Sequence, residues 1–173
     1  MEIILIGFMG TGKTTIGKLL AKKLHKPHYD LDNLITKNYG NSVQNIFKEK
    51  GEKYFRKLEH QTLKDILNLS GILSTGGGTP MLENNTSLLK HTSAKILLLK
   101  AKSDTIFHRL KEDTSRPLLK NSGLKGIIKL QNIRKNKYEN ISNLTIQTDN
   151  LPPSEIIKII FQRYYFHLGQ TIY

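Results

Sequence analysis

The chain has no cysteine among its 173 residues and no long apolar run. Without cysteine there is no disulfide framework and no zinc site with thiolate ligands, and the composition favours the cytoplasm over an oxidising compartment. The apolar runs are too short to span a bilayer, so we expect no membrane association. The N-terminus lacks both a basic segment and a small-residue cleavage site, so we also expect no signal peptide.

Arginine is scarce although the chain is strongly basic. The formal charge is +13, yet only five of the 27 basic residues are arginine, and the lysines are spread along the whole chain. Nucleic-acid sites are typically clustered basic stripes, so we interpret the scattered lysines as solvated surface and expect no nucleic-acid partner. A basic cleft that attracts anionic substrates is compatible with the same composition.

Short apolar segments alternate with helical patterns, and no internal repeat, low-complexity tract or linker interrupts them. The patterns predict strands at 2–6, 28–31, 72–75, 95–100 and 144–148, and helices at 13–24, 43–51, 52–69, 103–111, 124–138 and from 154 onward. Strands that alternate with helices form a parallel sheet with right-handed crossovers and helices on both faces. The chain length suits a single domain of this class.

A glycine-rich loop joins the first predicted strand to the first helix. Its sequence, Gly7-Phe8-Met9-Gly10-Thr11-Gly12-Lys13-Thr14, has the form G-x-x-x-x-G-K-[ST]. The glycines of such a loop let backbone N–H groups point at phosphate oxygens, the lysine reaches the β- and γ-phosphates, and the threonine hydroxyl suits Mg²⁺. The loop predicts a phosphoryl-transfer enzyme, although a GTPase or a helicase would share it.

Two acids follow the second predicted strand. Asp30 and Asp32 are separated by one residue, so both side chains can project to one side, toward the sheet edge where ligands bind in open α/β folds. In a functional interpretation, one carboxylate assists Mg²⁺ and the other orients a substrate hydroxyl. A pair of solvated loop acids is an equally good interpretation of the residues alone.

Three consecutive glycines, Gly76, Gly77 and Gly78, follow the third predicted strand. Because three glycines cost backbone entropy, a close approach of the backbone to a ligand is a good reason for them. Arg56 and Glu59 are three residues apart on one helical face, so Glu59 can hold the guanidinium in place. An exposed ion pair of little energetic value is the alternative for these two residues.

Arg116 lies in a polar segment that precedes the helix at 124–138. A flap that lowers an arginine onto a transferring phosphoryl group excludes water and stabilises negative charge, whereas an ordinary surface loop is the alternative. Arg109, on the preceding helix, can stack on a base. Arg134 and Tyr138 are four residues apart on a predicted helix, and this spacing alone assigns them no role.

Taken in order along the chain, these motifs resemble those of the shikimate kinase family, from residue 3 to about residue 160. The matching blocks are 7–15, 30–32, 40–43, 46–47, 51–52, 55–59, 74–78, 116–119 with Arg109 upstream of it, and Arg134 with Tyr138. The resemblance implies a three-layer α/β/α P-loop kinase fold with a central five-stranded parallel sheet. It also implies one domain over 1–173, with a substrate-binding region at about 32–60 and a mobile lid at about 110–123.

The same resemblance implies an activity: ATP-dependent phosphorylation of the 3-hydroxyl of shikimate, a step of aromatic amino-acid biosynthesis. It implies Mg²⁺ as the cofactor, shikimate and ATP as the small-molecule substrates, and a cytoplasmic monomer. Another small-metabolite P-loop kinase, such as gluconate kinase, is the alternative. That alternative would need a different acceptor-binding segment in place of 55–59 and the triple glycine.

Each matching residue also receives a role from the resemblance. Asp32, Lys13 and Arg116 would be catalytic, and Thr14 and Asp30 would hold the metal. The residues implied to bind ATP are Gly10, Thr11, Gly12, Lys13, Thr14, Thr15, Arg109 and Arg116, and those implied to bind shikimate are Asp32, Arg56, Gly77, Gly78 and Arg134. Four of the five arginines fall on these positions, and bidentate or stacking contacts require arginine rather than lysine.

Overall fold

Five parallel strands form one sheet in the computed structural model, which describes residues 1–111 and 123–166, the last three by backbone alone. The strands are β1 Ile3–Gly7, β2 His28–Asp30, β3 Ile72–Ser74, β4 Lys95–Lys100 and β5 Leu144–Gln147. They lie in the order β2-β3-β1-β4-β5, so β1 is central and pairs with both β3 and β4. This arrangement confirms the predicted five-stranded parallel sheet.

Helices cover both faces of this sheet. They are α1 Lys13–Leu24, α2 Leu31–Tyr39, α3 Val43–Ile66, α4 Glu83–Lys90, α5 Ser103–Leu110, α6 Gly123–Glu139 and α7 Pro153–Phe166, and a short 3₁₀ helix spans Thr79–Met81. The predicted lid at about 110–123 falls mainly on 112–122, outside the described residues. Within the described parts of the chain, none of these helices combines the length and the apolar character that crossing a bilayer requires.

The core has two main parts because the side chains of β1 alternate between the faces of the sheet. Ile4 and Ile6 pack into one apolar cluster, and Ile3 and Leu5 pack into another. The first cluster also contains Leu31, Ile35 and Leu63, and the second contains Ile16, Leu20 and Ile156. A strand that is covered on both faces must be apolar throughout, which explains why β1 is a continuous run rather than an alternating one.

The segment after β2 differs from its prediction. The strand ends at Asp30, and α2, which the sequence analysis did not predict, begins at the next residue. Asp30 is the N-cap of α2, and its Oδ1 accepts a hydrogen bond from Asn33 N at 3.2 Å. Asp32 therefore lies in the first turn of a helix. The argument from strand alternation was wrong here because an aspartate that caps a helix ends the extended backbone.

Helix α3 contains the boundary that the sequence predicted between two helices, at 43–51 and 52–69. The backbone is non-helical at Gly51, where φ is 80° and ψ is 167°, so two helical segments meet at a kink there, and the second ends at Ile66. Helix α4 was not predicted. Its inward side buries Asn85 and Thr86 beside Leu89, so its sequence lacks the apolar periodicity by which a helix is recognised.

Glu2 ties the start of β1 to the turn before β3. Its carboxylate accepts hydrogen bonds from Ser70 Oγ at 2.7 Å and from Gly71 N, and Lys26 Nζ lies 3.0 Å from Oε1. Burial by itself would raise the pKa of Glu2, but these donors outweigh it and lower the pKa to about 2. The ionised carboxylate therefore stabilises the fold above its ordinary pKa of 4.5, and this stabilisation is lost as the pH falls toward 2.

We expect Glu2→Gln to lower the thermal midpoint at pH 7 by roughly 1–3 °C, a small shift because the side chain is partly exposed to screening solvent. The difference from the wild type should be smaller at pH 3, since the wild type has by then lost part of the same stabilisation. Thermal unfolding followed by circular dichroism at both pH values measures this. Glu155→Gln, in an exposed pair with Lys158, is the control. Equal losses at the two pH values would contradict the expectation.

Candidate active site

The glycine-rich loop connects β1 to α1 at the carboxyl edge of the sheet. Gly10 and Gly12 have φ angles of 76° and 91°, in the left-handed region that favours glycine. Gly12 is the N-cap of α1, and a glycine brings no side chain to satisfy the first N–H groups of the helix. These N–H groups and the helix dipole favour an anion at this point.

The carbonyl oxygen of Phe8 holds the loop in shape. It accepts hydrogen bonds from Lys13 Nζ and from Thr11 Oγ1, each at 2.8 Å. Both donor side chains are buried or nearly so. The ammonium of Lys13 therefore lies over the loop, where phosphate oxygens would come within its reach. Thr15 lies exposed in the first turn of α1.

Thr14 and Asp30 form a pair of oxygen groups beside the loop. Thr14 Oγ1 donates to Asp30 Oδ2 at 2.7 Å, while Asp30 Oδ1 caps α2. Mg²⁺ prefers hydroxyl and carboxylate oxygens, and it usually takes one or two protein ligands together with water and substrate phosphates. The chemistry of this pair therefore fits a magnesium ion that is bound together with a nucleotide.

Each glycine of the triple glycine makes room for a different neighbour. A Cβ on Gly76 would lie 2.7 Å from Asp32 Oδ1, and one on Gly78 would lie 2.6 Å from Arg56 Nη2. A Cβ on Gly77 would lie 3.3 Å from Met9 N of the phosphate loop. The sequence predicted that a ligand would come close to this glycine backbone. In the structure, the carboxylate of Asp32 and the guanidinium of Arg56 already lie close to it. This arrangement brings Asp32, Arg56 and the phosphate loop around one short segment.

Arg56 is held by carboxylates on two sides. Its Nη1 donates to Glu59 Oε2 at 3.0 Å, and its Nη2 donates to Glu52 Oε1 at 3.0 Å. The guanidinium also stacks near the rings of Phe55 and Phe47, with its Cζ 5.4 Å and 6.0 Å from their centroids. The sequence left open that Arg56 and Glu59 form only an exposed ion pair. In the structure this ion pair is buried on the Glu59 side, because the Glu59 side chain is only 1% accessible.

Glu59 is the buried support of this arrangement. Its Oε1 accepts a hydrogen bond from Thr79 Oγ1 at 2.8 Å, directly after the triple glycine. Burial raises the pKa of Glu59, although Arg56 and Thr79 oppose this effect. Burial alone would lower the pKa of Arg56, but Glu59 and Glu52 outweigh it and raise the pKa instead. Arg56 is therefore kept charged and in one orientation.

Arg134 and Tyr138 converge on the middle glycine from α6. Arg134 Nη1 donates to Gly77 O at 3.1 Å, and Tyr138 OH donates to the same oxygen. The Arg134 guanidinium also lies over the ring of Phe8, with its Cζ 5.6 Å from the centroid. Burial raises the pKa of Tyr138 to about 12, so its hydroxyl stays a neutral donor. The spacing of four residues thus lets both side chains donate to the same carbonyl oxygen, a role that the sequence alone did not indicate.

Arg109, on α5, bonds to the phosphate loop. Its Nη1 donates to Gly10 O at 3.1 Å, and its Nη2 donates to Thr148 O at 2.7 Å. The guanidinium therefore connects the loop to the end of β5. Among the predicted site residues, Arg116 lies outside the described part of the chain, so its role stays a prediction.

Sequence reasoning missed a buried network behind the triple glycine. Asn85 is fully buried, its Nδ2 donates to Thr79 O at 3.0 Å, and its Oδ1 lies 2.8 Å from His60 Nδ1. Asn85 therefore supports Thr79, which in turn bonds to Glu59. No local pattern indicates this residue, because its partners lie on other elements and it stands within a polar run.

A second missed group holds α1 against the sheet. His28 Nε2 lies 3.0 Å from Ser74 Oγ, which donates to Lys13 O at 3.0 Å. Burial lowers the pKa of His28. A Cβ on Gly17 would lie 2.5 Å from Ser74 Oγ, so a side chain at this position would push α1 away from β3. The placement of the phosphate loop thus depends on a glycine outside its motif.

The chain is similar to known proteins in both sequence and fold. The model of the family described as shikimate kinase matches residues 9–165. The chain is 40% identical to the shikimate kinase of Limosilactobacillus fermentum over 99% of both chains. It is 44% identical to that of Enterococcus faecalis over 94% of this chain and 97% of the relative. A solved shikimate kinase from Acinetobacter baumannii, in complex with shikimate, superimposes with a TM-score of 0.93 at 29% identity, over 98% of this chain and 95% of the other. The chain belongs to the shikimate kinase family.

Proposed function

We propose that the chain transfers the γ-phosphoryl group of ATP to the 3-hydroxyl of shikimate, giving shikimate 3-phosphate and ADP. The observation that most directly supports this function is the close approach of the triple glycine to the phosphate loop, where a Cβ on Gly77 would lie 3.3 Å from Met9 N. This contact makes the predicted donor and acceptor sites continuous. An in-line transfer needs such an arrangement, because the reacting groups must be held close together.

The acceptor side suits a small carboxylated molecule with hydroxyl groups. Arg56 and Arg134 approach the triple glycine from α3 and α6, and planar guanidinium groups bind carboxylates in a bidentate manner. The relative that was solved with shikimate supports this acceptor over gluconate, the alternative raised by the sequence. Family membership places the reaction in aromatic amino-acid biosynthesis.

The chemistry rests on positioning and on charge. Asp32, beside Gly76, would orient the 3-hydroxyl and accept its proton as the oxygen attacks the γ-phosphorus and the bond to ADP breaks. Lys13 would stabilise the negative charge that spreads over the transferred group. Thr14 and Asp30 would hold Mg²⁺, which would neutralise the phosphate oxygens. Arg116 would add a further positive charge, a prediction that lies outside the described residues.

Several expectations from the sequence stay predictions. These are the assignment of residues 1–173 to a single domain, the monomeric state, and the absence of nucleic-acid and membrane partners. A cytoplasmic location is a prediction as well, and it agrees with a need for ATP. Each can be tested on the purified protein or by fractionation of cells.

The first test measures ADP release with and without shikimate. We expect shikimate to stimulate release strongly in the wild type, and we expect Asp32→Asn to lower turnover by about 100-fold or more, because the amide cannot accept the proton. ATP binding should survive the substitution. Asp65→Asn, on the exposed side of α3, is the matched control with wild-type turnover. Retained turnover in the Asp32 variant would remove this residue from its role.

The second test separates guanidinium geometry from charge. Arg56→Lys keeps the positive charge but loses the fork that bonds to Glu59 and Glu52 and that would grip a carboxylate. We expect KM for shikimate to rise by about 10-fold or more while KM for ATP changes little. Steady-state kinetics with each substrate varied in turn gives both values.

Arg163→Lys is the matched control for this substitution, because Arg163 lies exposed on α7 and outside the proposed acceptor site. It should leave both KM values unchanged. A parallel rise in both KM values for Arg56→Lys would indicate a general loss of structure and would contradict an acceptor-specific role.

A further inference from the structure

Helix α5 is held at its N-terminus by a residue from another element. The N-cap position of α5 is Lys102, whose side chain offers no acceptor. Asp149, just after β5, takes this role: its Oδ1 accepts hydrogen bonds from Lys102 N at 2.9 Å and from Thr105 Oγ1. Its Oδ2 accepts one from Gln147 Nε2. The carboxylate thus fixes the first turn of α5 to the end of β5.

The same helix is held near its C-terminus by the residue that precedes Asp149. Arg109 donates to Thr148 O at 2.7 Å and to Thr148 Oγ1 at 3.2 Å. Thr148 is buried, and both its N and its Oγ1 donate to Lys100 O at the end of β4. Helix α5 is therefore attached at both ends to residues 148 and 149, which are themselves attached to the sheet.

The position of α5 matters because the helix lies against the phosphate loop. Arg109 Nη1 donates to Gly10 O at 3.1 Å, and a Cβ on Gly10 would lie 3.1 Å from Leu110 Cγ. Two consecutive residues of α5 thus contact the inner glycine of the loop. A shift of the helix would move both contacts and would change the shape of the loop.

Asp149 is suited to this role in its charged form. Burial alone would raise its pKa, but the hydrogen bonds from Thr105, Lys102 and Gln147 outweigh it, and the nearby charge of Arg109 acts in the same direction. The pKa therefore lies below its ordinary value. A carboxylate near a helix N-terminus is also favoured by the helix dipole.

We propose that Asp149 is a positioning residue for the nucleotide: by holding α5, it sets Arg109 and Leu110 against the phosphate loop and so raises the affinity for ATP. This inference rests on the proposed function, in which Arg109 and the loop bind ATP. The contacts of Asp149 lie on the nucleotide side of the site, whereas Asp32, Arg56 and Arg134 surround the triple glycine. Its loss should therefore affect the two substrates unequally.

The test compares Asp149→Ala with Asp149→Asn. We expect Asp149→Ala to weaken ATP binding about 10-fold, as for the loss of hydrogen bonds to a charged group, and to leave KM for shikimate unchanged. Asn keeps an oxygen that can accept from Lys102 N and Thr105 Oγ1, so Asp149→Asn should restore most of the affinity. Calorimetric titration with ATP alone and steady-state kinetics with each substrate varied measure these effects.

Asp104→Ala is the matched control, because it removes the same charge from the exposed side of the first turn of α5. It should bind ATP as the wild type does. Wild-type affinity in Asp149→Ala, an equal rise of both KM values, or an Asp149→Asn variant as weak as the alanine variant would each overturn the proposal. If the alanine variant does not fold, Thr105→Val removes one donor and should weaken ATP binding in the same direction; unchanged ATP binding in that variant would overturn the proposal.

The binding measurement also separates this proposal from the proposed function. It is made without shikimate, so it does not depend on the identity of the acceptor. A wild type that binds ATP but releases no ADP in response to shikimate would contradict the proposed function, while the comparison of Asp149 variants would still decide the role of Asp149.

Discussion

The parallel pairing of β1 with β3 is the constraint on which the site depends, because it carries two loops to the same edge of the sheet. Thr75, directly after β3, continues this pairing: its N and its Oγ1 both donate to Leu5 O at 3.1 Å. The triple glycine follows Thr75 directly and lies close to the phosphate loop that follows β1. The absence of side chains on the three glycines then lets Asp32, Arg56 and Met9 approach the same backbone.

Buried polar groups keep this edge rigid. Glu59 loses its hydration, and Arg56 and Thr79 compensate with an ion pair and a hydrogen bond. Removal of one partner from such a buried pair leaves an uncompensated charge, which costs about 3–5 kcal/mol. Asn85 completes the network from α4. On the nucleotide side, Asp30 caps α2 with one oxygen and accepts from Thr14 with the other, so one carboxylate orders two elements.

The arginines show why a chain that is rich in lysine uses them so selectively. Arg56 bonds to two carboxylates and stacks on two rings, Arg109 bonds to Gly10 and Thr148, and Arg134 bonds to Gly77 and stacks on Phe8. Each contact set uses several donors of one planar group at once, and a lysine ammonium cannot reproduce that geometry. The scarcity of arginine in the sequence therefore carried information about the site.

The sequence by itself determined the phosphate loop, the five strands and most of the helices, because glycine spacing and apolar periodicity are local properties. The triple glycine and the arginines that match the family's motifs could also be recognised from their order along the chain. Tertiary structure decided what these residues do to one another. Gly76 and Gly78 make room for side chains of other elements, and Asn85 and Asp149 bond to residues on other elements. A polar side chain acts through whichever partner the fold brings to it, and a partner 20 or more residues away leaves no periodic trace in the sequence.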